Sequence, residues 1–143
     1  MDDDTGEHAA TLEAIALRLI EATNARDFDN PIWTDSIADH LEFTSNGSSN
    51  FDRFMGEETW GHEYADKLKL LTTTFPHLQV HVQDLSARVV GLHQVVGEVF
   101  IHTLTTGNFP GLSTPVVNRL EFRFIRHRWR LVKHSWSHGI DPF

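Results

Sequence analysis

The chain has 143 residues, 40% hydrophobic and 22% charged, and its twelve lysines and arginines face twenty aspartates and glutamates for a net charge of −8. A chain this long suits one domain that buries roughly 70% of its unfolded surface without metal or disulfide staples, and the acidic balance argues against a nucleic-acid face or a polybasic membrane patch. The absence of cysteine removes disulfides, thiolate nucleophiles and cysteine-ligated metal.

Asp2, Asp3, Asp4 and Glu7 gather four negative charges at the start, which predicts an acidic flexible tail over residues 1–7 ahead of a single domain over 8–143. There is no basic-then-apolar leader and no apolar run near the ~18 residues of a membrane span, so a soluble cytoplasmic protein is expected. Leu12, Ile15, Ala16, Leu19, Ile20 and Thr23 recur at helical spacing. They predict an amphipathic helix that stops near Arg26–Asn30, before the breaker Asn30-Pro31. A second short helix is expected from Pro31 to Asp39, with proline in its first turn. His40 to Ser45 then reads as a strand and the polar run from Ser45 to Asn50 as a loop. A third helix is expected over Glu57 to Thr74, with Trp60, Tyr64, Leu68, Leu71 and Phe75 as its apolar stripe and Phe75-Pro76 as its stop.

The period then changes. Leu78, Val80 and Val82 alternate with Gln79, His81 and Gln83, the pattern of a half-buried strand between His77 and Ala87. Residues Gln94 to Thr106 are β-rich with apolar groups on both parities, which predicts a strand covered on both faces. Leu120, Phe122 and Phe124 alternate with Arg119, Glu121 and Arg123, and His127-Arg128 is expected to turn the chain into a last strand from Trp129 to His138. Three helices followed by a four-strand meander imply an α+β fold, a cone-shaped curved antiparallel sheet around the helices with an apolar pocket at its open end.

Several segments carry a resemblance: Leu41-Glu42-Phe43-Thr44-Ser45-Asn46-Gly47, the stretch Thr72 to Val80, Leu104-Thr105-Thr106-Gly107, and Trp129-Arg130-Leu131-Val132-Lys133-His134. In element order and in these echoes, residues 8 to 141 resemble the nuclear-transport-factor-2-like superfamily in its SnoaL-like branch, with central segments similar to small fungal enzymes of secondary metabolism. The resemblance implies a cystatin-like α+β barrel, and a scaffold shared by polyketide cyclases, ketosteroid isomerase, scytalone dehydratase, limonene epoxide hydrolase and non-catalytic transport adaptors. The ketosteroid-isomerase dyad is absent, because Glu42-Phe43-Thr44 and the apolar Leu120, Phe122 and Phe124 stand where its acids belong. The Arg/Asp/Asp set of the limonene-type hydrolases is not recognisable either.

Ten histidines in a chain without cysteine are the natural acid–base candidates. His77 and His81 share the polar parity of their strand and read as solvent-facing. On the last strand, Val132, His134, Trp136 and His138 share one parity. A match of Trp136-Ser137 to the tryptophan-bearing stretch of ketosteroid isomerase implies that this parity faces the cavity. Such a placement makes His134 a base or acid against a tryptophan wall, with Tyr64, His138 or Asn118 polarising an oxygen. Trp136, Trp60, Phe122 and Val132 are expected to shape the substrate wall. Glu98 and His102 are polar on a strand that reads as buried, so each is expected either to line the cavity or to pair across the sheet. No metal site is expected, because i and i+4 on a strand stand about 13 Å apart. The absence of a Gly-rich phosphate loop or a Gly-x-Ser-x-Gly elbow argues against a cofactor and against serine-hydrolase chemistry.

The resulting expectation is a cofactor-free acid–base isomerase or cyclase acting on a small hydrophobic polyketide- or terpenoid-like metabolite, in a homodimer. The alternatives are an epoxide hydrolase or dehydratase on the same scaffold, or a non-catalytic ligand-binding or dimerisation module.

Overall fold

The structure, a computed structural model, describes residues 4–46, 58–90, 95–107, 111 and 113–138, with backbone alone at residues 4, 5, 44–46, 58–60, 62 and 138. The elements in chain order are α1 (Asp4–Asn24), α2 (Ile32–Asp35), β1 (Ile37–Asn46), β2 (Glu58–Trp60), α3 (Gly61–Thr74), β3 (Gln79–Val90), β4 (Val96–Thr106), β5 (Ser113–Ile125) and β6 (Arg128–His138). The six strands form one sheet in the order β2-β1-β6-β5-β4-β3. Its long strands are the antiparallel meander expected from the alternation, with a two-residue turn at Arg126 and His127, both with positive φ (52° and 67°). Two left-handed residues match the right-handed twist of a hairpin. One pair departs from the antiparallel expectation, since β1 runs parallel to β6.

Helix α1 buries Leu12, Ala16, Leu19 and Thr23, spaced by four, three and four residues, so one stripe faces the sheet. Its C-terminus is tied down by neighbours distant in sequence. Asn24 bonds both the N–H and the C=O of Val80 at 2.8 Å, and the Arg26 guanidinium donates to the carbonyls of Pro76 at 3.0 Å and Leu78 at 2.7 Å. Those bonds fix the edge strand β3 against the helix and satisfy carbonyls that the turn leaves open. The core is continuous from Leu12 through Trp33, Ile37, Leu41 and Phe43 to Val99, Phe122, Trp129 and Leu131.

Several boundaries differ from those expected, among them the β5–β6 turn, which falls at Arg126-His127 and not at His127-Arg128. Helix α1 begins at Asp4, so the segment predicted as a tail is helical from there; residues 1–3 lie outside the described residues. Helix α2 ends at Asp35 rather than Asp39, and Asp39 sits exposed on β1. Helix α3 starts at Gly61 and not at Glu57, because Glu58–Trp60 pair with β1 as β2, His40 opposite Trp60. Gly61 makes this sharp strand-to-helix change possible: a Cβ there would collide with the Ala38 carbonyl of β1. Finally, the register of β6 jumps, Glu121 facing Lys133 and Phe122 facing Leu131, which leaves Val132 as the extra residue of a bulge. Leu131, which strict alternation would set on the face opposite His134, is therefore fully buried. Ser45 and Asn46, read as the start of a loop, end β1 instead, and the rest of that predicted loop, Gly47 to Asn50, lies outside the described residues.

Candidate active site

The inner face of the sheet and the helices enclose a cavity of about 110 Å³, walled chiefly by apolar side chains of α1, α3, β4 and β5, including Leu19, Ile20, Leu71, Ile101 and Val116. Into this wall β6 delivers His134 and Trp136, α3 delivers Tyr64 and β5 delivers Asn118. The bulge at Val132 lets His134 and Trp136 face inward as Leu131 does, so the two reach the same space as Tyr64 and Asn118.

These groups are bonded in a line. The Tyr64 hydroxyl lies 3.0 Å from His134 Nδ1, and His134 Nε2 lies 3.0 Å from Asn118 Oδ1. Asn118 Nδ2 in turn donates to the Ile101 carbonyl at 3.4 Å and to Thr103 Oγ1 at 3.2 Å. The carbonyl end sets the direction of the whole chain. Only the amide NH₂ can donate to Ile101 O, so Asn118 presents its oxygen to His134. His134 therefore carries its proton on Nε2, and its bare Nδ1 accepts the Tyr64 proton. Thr103, itself buried, passes its hydroxyl proton to Val116 O at 3.4 Å and completes the support.

Electrostatics agree with a neutral pair. Burial away from bulk water lowers the His134 pKa from 6.5 to about 4, and burial raises that of the Tyr64 phenol. Aromatic rings hold the imidazole in place: Phe43 edge-on at 5.0 Å, Trp136 at 5.9 Å and Tyr64 at 6.2 Å between centroids. Trp33, whose indole N–H is anchored on the Asp27 carbonyl at 2.8 Å, stands 6.0 Å from Tyr64. At rest both imidazole nitrogens are occupied, and the acceptor lone pair left on the Tyr64 oxygen is the point at which a ligand proton can enter the line.

The other predicted site residues are placed as follows. Phe122 is fully buried in the core behind the cavity and does not line it. Val132, expected on the cavity wall, is the bulged residue and is not among the lining groups. Glu98 and His102 do not line the cavity either, because β4 turns Val99, Ile101, Thr103 and Thr105 inward and these two residues outward. His102 is exposed, while Glu98 is pinned on the outer face between Arg88, its direct cross-strand partner, and Arg119. Of its two expected roles, pairing across the sheet is the one found. These hydrogen bonds and the two positive charges hold the Glu98 carboxyl below its usual range, although burial opposes them. The backbones of Trp60 and His138 end β2 and β6, but their side chains lie outside the described residues.

Three neighbours of the site were not singled out from the sequence: Phe43, Thr103 and Trp33. Phe43 lies beside His134 through the parallel β1·β6 register, which no local pattern announces. Thr103 did carry a signal, as a β-branched polar residue on the parity of Ile101.

No protein-family model matches the sequence, and no curated protein matches it significantly. Solved structures do match in shape. An NTF2-like protein of unknown function from Pseudomonas putida superposes with a TM-score of 0.74 at 11% identity, over 96% of this chain and 91% of that one. A candidate dehydratase of the NTF2-like family from Streptomyces avermitilis gives 0.69 at 16% identity, over 95% and 99%. The hexachlorocyclohexane dehydrochlorinase LinA-type3 of Novosphingobium barchaimii gives 0.69 at 14%, over 92% and 86%. At these identities the likeness concerns the fold, which is the NTF2-like, cystatin-like α+β fold expected from the sequence. It is a fold that carries enzymes.

Proposed function

We propose that this protein is a cofactor-independent acid–base enzyme for a small, largely apolar molecule bearing a hydroxyl or carbonyl, with Tyr64 and His134 as its proton-transfer pair. The observation that carries the reading is the directed line Tyr64 to His134 to Asn118 at the wall of a largely apolar cavity. A ligand proton delivered to the Tyr64 oxygen is balanced by passage of the tyrosine's own proton to His134 Nδ1, so no free tyrosinate accumulates. The imidazolium formed keeps its Nε2–H on Asn118 and is stabilised by the negative charge left on the substrate. The reverse sequence returns the proton as an acid. Because the resting histidine is neutral, the cavity stores no unpaired charge before substrate arrives.

One proton removed and one returned is the minimum for isomerisation or cyclisation, and the same pair can initiate loss of water. The dehydratase-like and dehydrochlorinase neighbours support a scaffold suited to proton-initiated chemistry. Placement in the SnoaL-like branch, with a polyketide- or terpenoid-like substrate, belongs to the same reading and rests on element order and on the echoes in β1, in Thr72 to Val80, in β4 and in β6.

The test is an incubation of hydroxylated and carbonyl-bearing aromatics and terpenoids in D₂O, read by mass spectrometry for deuterium uptake, rearrangement or loss of water. Turnover should appear with the native chain and fall at least ~100-fold in His134→Gln and Tyr64→Phe. A His134→Gln protein that kept full rate would sink the assignment, and binding without turnover across the panel would favour a ligand-binding module.

A further inference from the structure

The cavity contains a second polar group that the Tyr64–His134 line does not use. Four threonines line it. The hydroxyl of Thr23 is committed to Leu19 O at 2.8 Å, and that of Thr103 to Val116 O at 3.4 Å while it accepts from Asn118. Thr105 and Thr114 differ: among the described residues neither hydroxyl has a hydrogen-bond partner, although Thr105 is only 7% exposed. A hydroxyl held out of bulk water without a partner is costly, and the cost is removed when something in the cavity bonds to it.

Their placement makes them a pair. Thr105 and Thr114 are directly opposite each other on β4 and β5, with Val80 of β3 continuing the row. The Ile101–Asn118 row lies four residues further along, about 13 Å at ~3.3 Å per residue. Leu19, Ile20, Leu78 and Val116 supply apolar wall to the same cavity, and among the described residues no lysine, arginine, aspartate or glutamate lines it.

We propose that Thr105 and Thr114 form a second oxygen-binding pole, so that the cavity takes an elongated apolar ligand with a hydroxyl or carbonyl at each end. One oxygen lies against Tyr64 and the other between the two threonines. A neutral oxygen function is the chemistry that fits, because a threonine hydroxyl both donates and accepts, and a charged end would stand without a counter-ion. The proposal rests on the reading of Tyr64 and His134 as the first pole, and the experiment separates the two.

The probes are 2-naphthol and 2,6-dihydroxynaphthalene, one skeleton with one or two hydroxyls, titrated calorimetrically into the full chain. The diol is expected to bind about fivefold tighter, the factor supplied by one net hydrogen bond. Thr105→Val with Thr114→Val, which keeps the branched shape, should erase that preference and leave 2-naphthol unchanged. Thr105→Ser should keep it. Tyr64→Phe should weaken both probes equally and preserve the ratio. A diol preference unmoved by the valines, with Tyr64 still required, overturns the second pole alone. A preference that vanishes with the valines while Tyr64→Phe has no effect upholds the threonine pole and overturns the first. No binding of either probe overturns both.

Discussion

His134 makes the stability of this protein depend on pH in a way that can be isolated. Its folded pKa of about 4 lies below the 6.5 of an exposed histidine because burial penalises the imidazolium. Between those two values the unfolded chain binds a proton that the folded chain refuses, so stability falls as pH falls. The contribution is negligible at pH 7. With 6.5 and about 4 as the two pKa values, the folded state loses about 2 kcal/mol by pH 5, approaching about 3 kcal/mol below pH 4. His134→Gln removes the titrating group, whatever constant amount it adds or subtracts. Urea unfolding followed by tryptophan fluorescence at pH 7, 6 and 5 should therefore show the native protein losing about 2 kcal/mol more than the variant over that range. Glu98 and the other carboxylates titrate in both proteins and cancel in the difference. Parallel pH profiles would show that burial of His134 does not set this dependence, as would an NMR titration of His134 with a midpoint near 6.5.

Three further perturbations follow from the geometry. Tyr64→Phe leaves His134 Nδ1 without its donor; stability should drop by about 1 kcal/mol in chemical denaturation, with the Nε2–H tautomer retained in ¹⁵N-detected NMR. Glu98→Gln weakens the link between Arg88 and Arg119 on the outer face and should cost about 1–2 kcal/mol at neutral pH. Because the folded Glu98 pKa is lowered, its stabilisation is present above the usual carboxylate range and lost as pH falls through it, so native and variant should converge in acid. Cavity binding should not change. Gly61→Ala sets a methyl against the Ala38 carbonyl, and thermal unfolding should show a loss of about 1–3 kcal/mol, with Tyr64 displaced because α3 starts at this contact.

Local patterns in the chain carried most of the architecture. The four- and three-residue spacing of Leu12, Ala16 and Leu19 specified α1, and strict alternation through Leu120, Phe122 and Phe124 specified β5 and its inward face. What escaped was set by contacts between segments distant in sequence. Ile37 and Ala38 read as the end of a helix because nothing local reveals that β1 will pair with β6, and Trp60 read as helical because its strand partner is His40. The register of β6 was legible above Val132 and inverted below it, since one bulged residue exchanges the two faces of a strand. His134, Tyr64 and Asn118 were each visible as polar residues on apolar parities. Their bonding to one another was not, because it depends on where α3 lies against β6. Glu98 was legible as a buried charge, and only the β3·β4·β5 register shows its arginines on the outer face.

The proposed contact of Tyr64 and His134 with a substrate oxygen inside the cavity can be seen directly. Its most direct test is a crystal soaked with hydroxylated aromatic and terpenoid ligands, read for the position of the ligand oxygen. A ligand oxygen is expected within hydrogen-bonding distance of the Tyr64 hydroxyl, with the His134–Asn118 bond intact. A cavity that stays empty across the panel, or a ligand whose oxygens all point away from Tyr64 and His134, would contradict it.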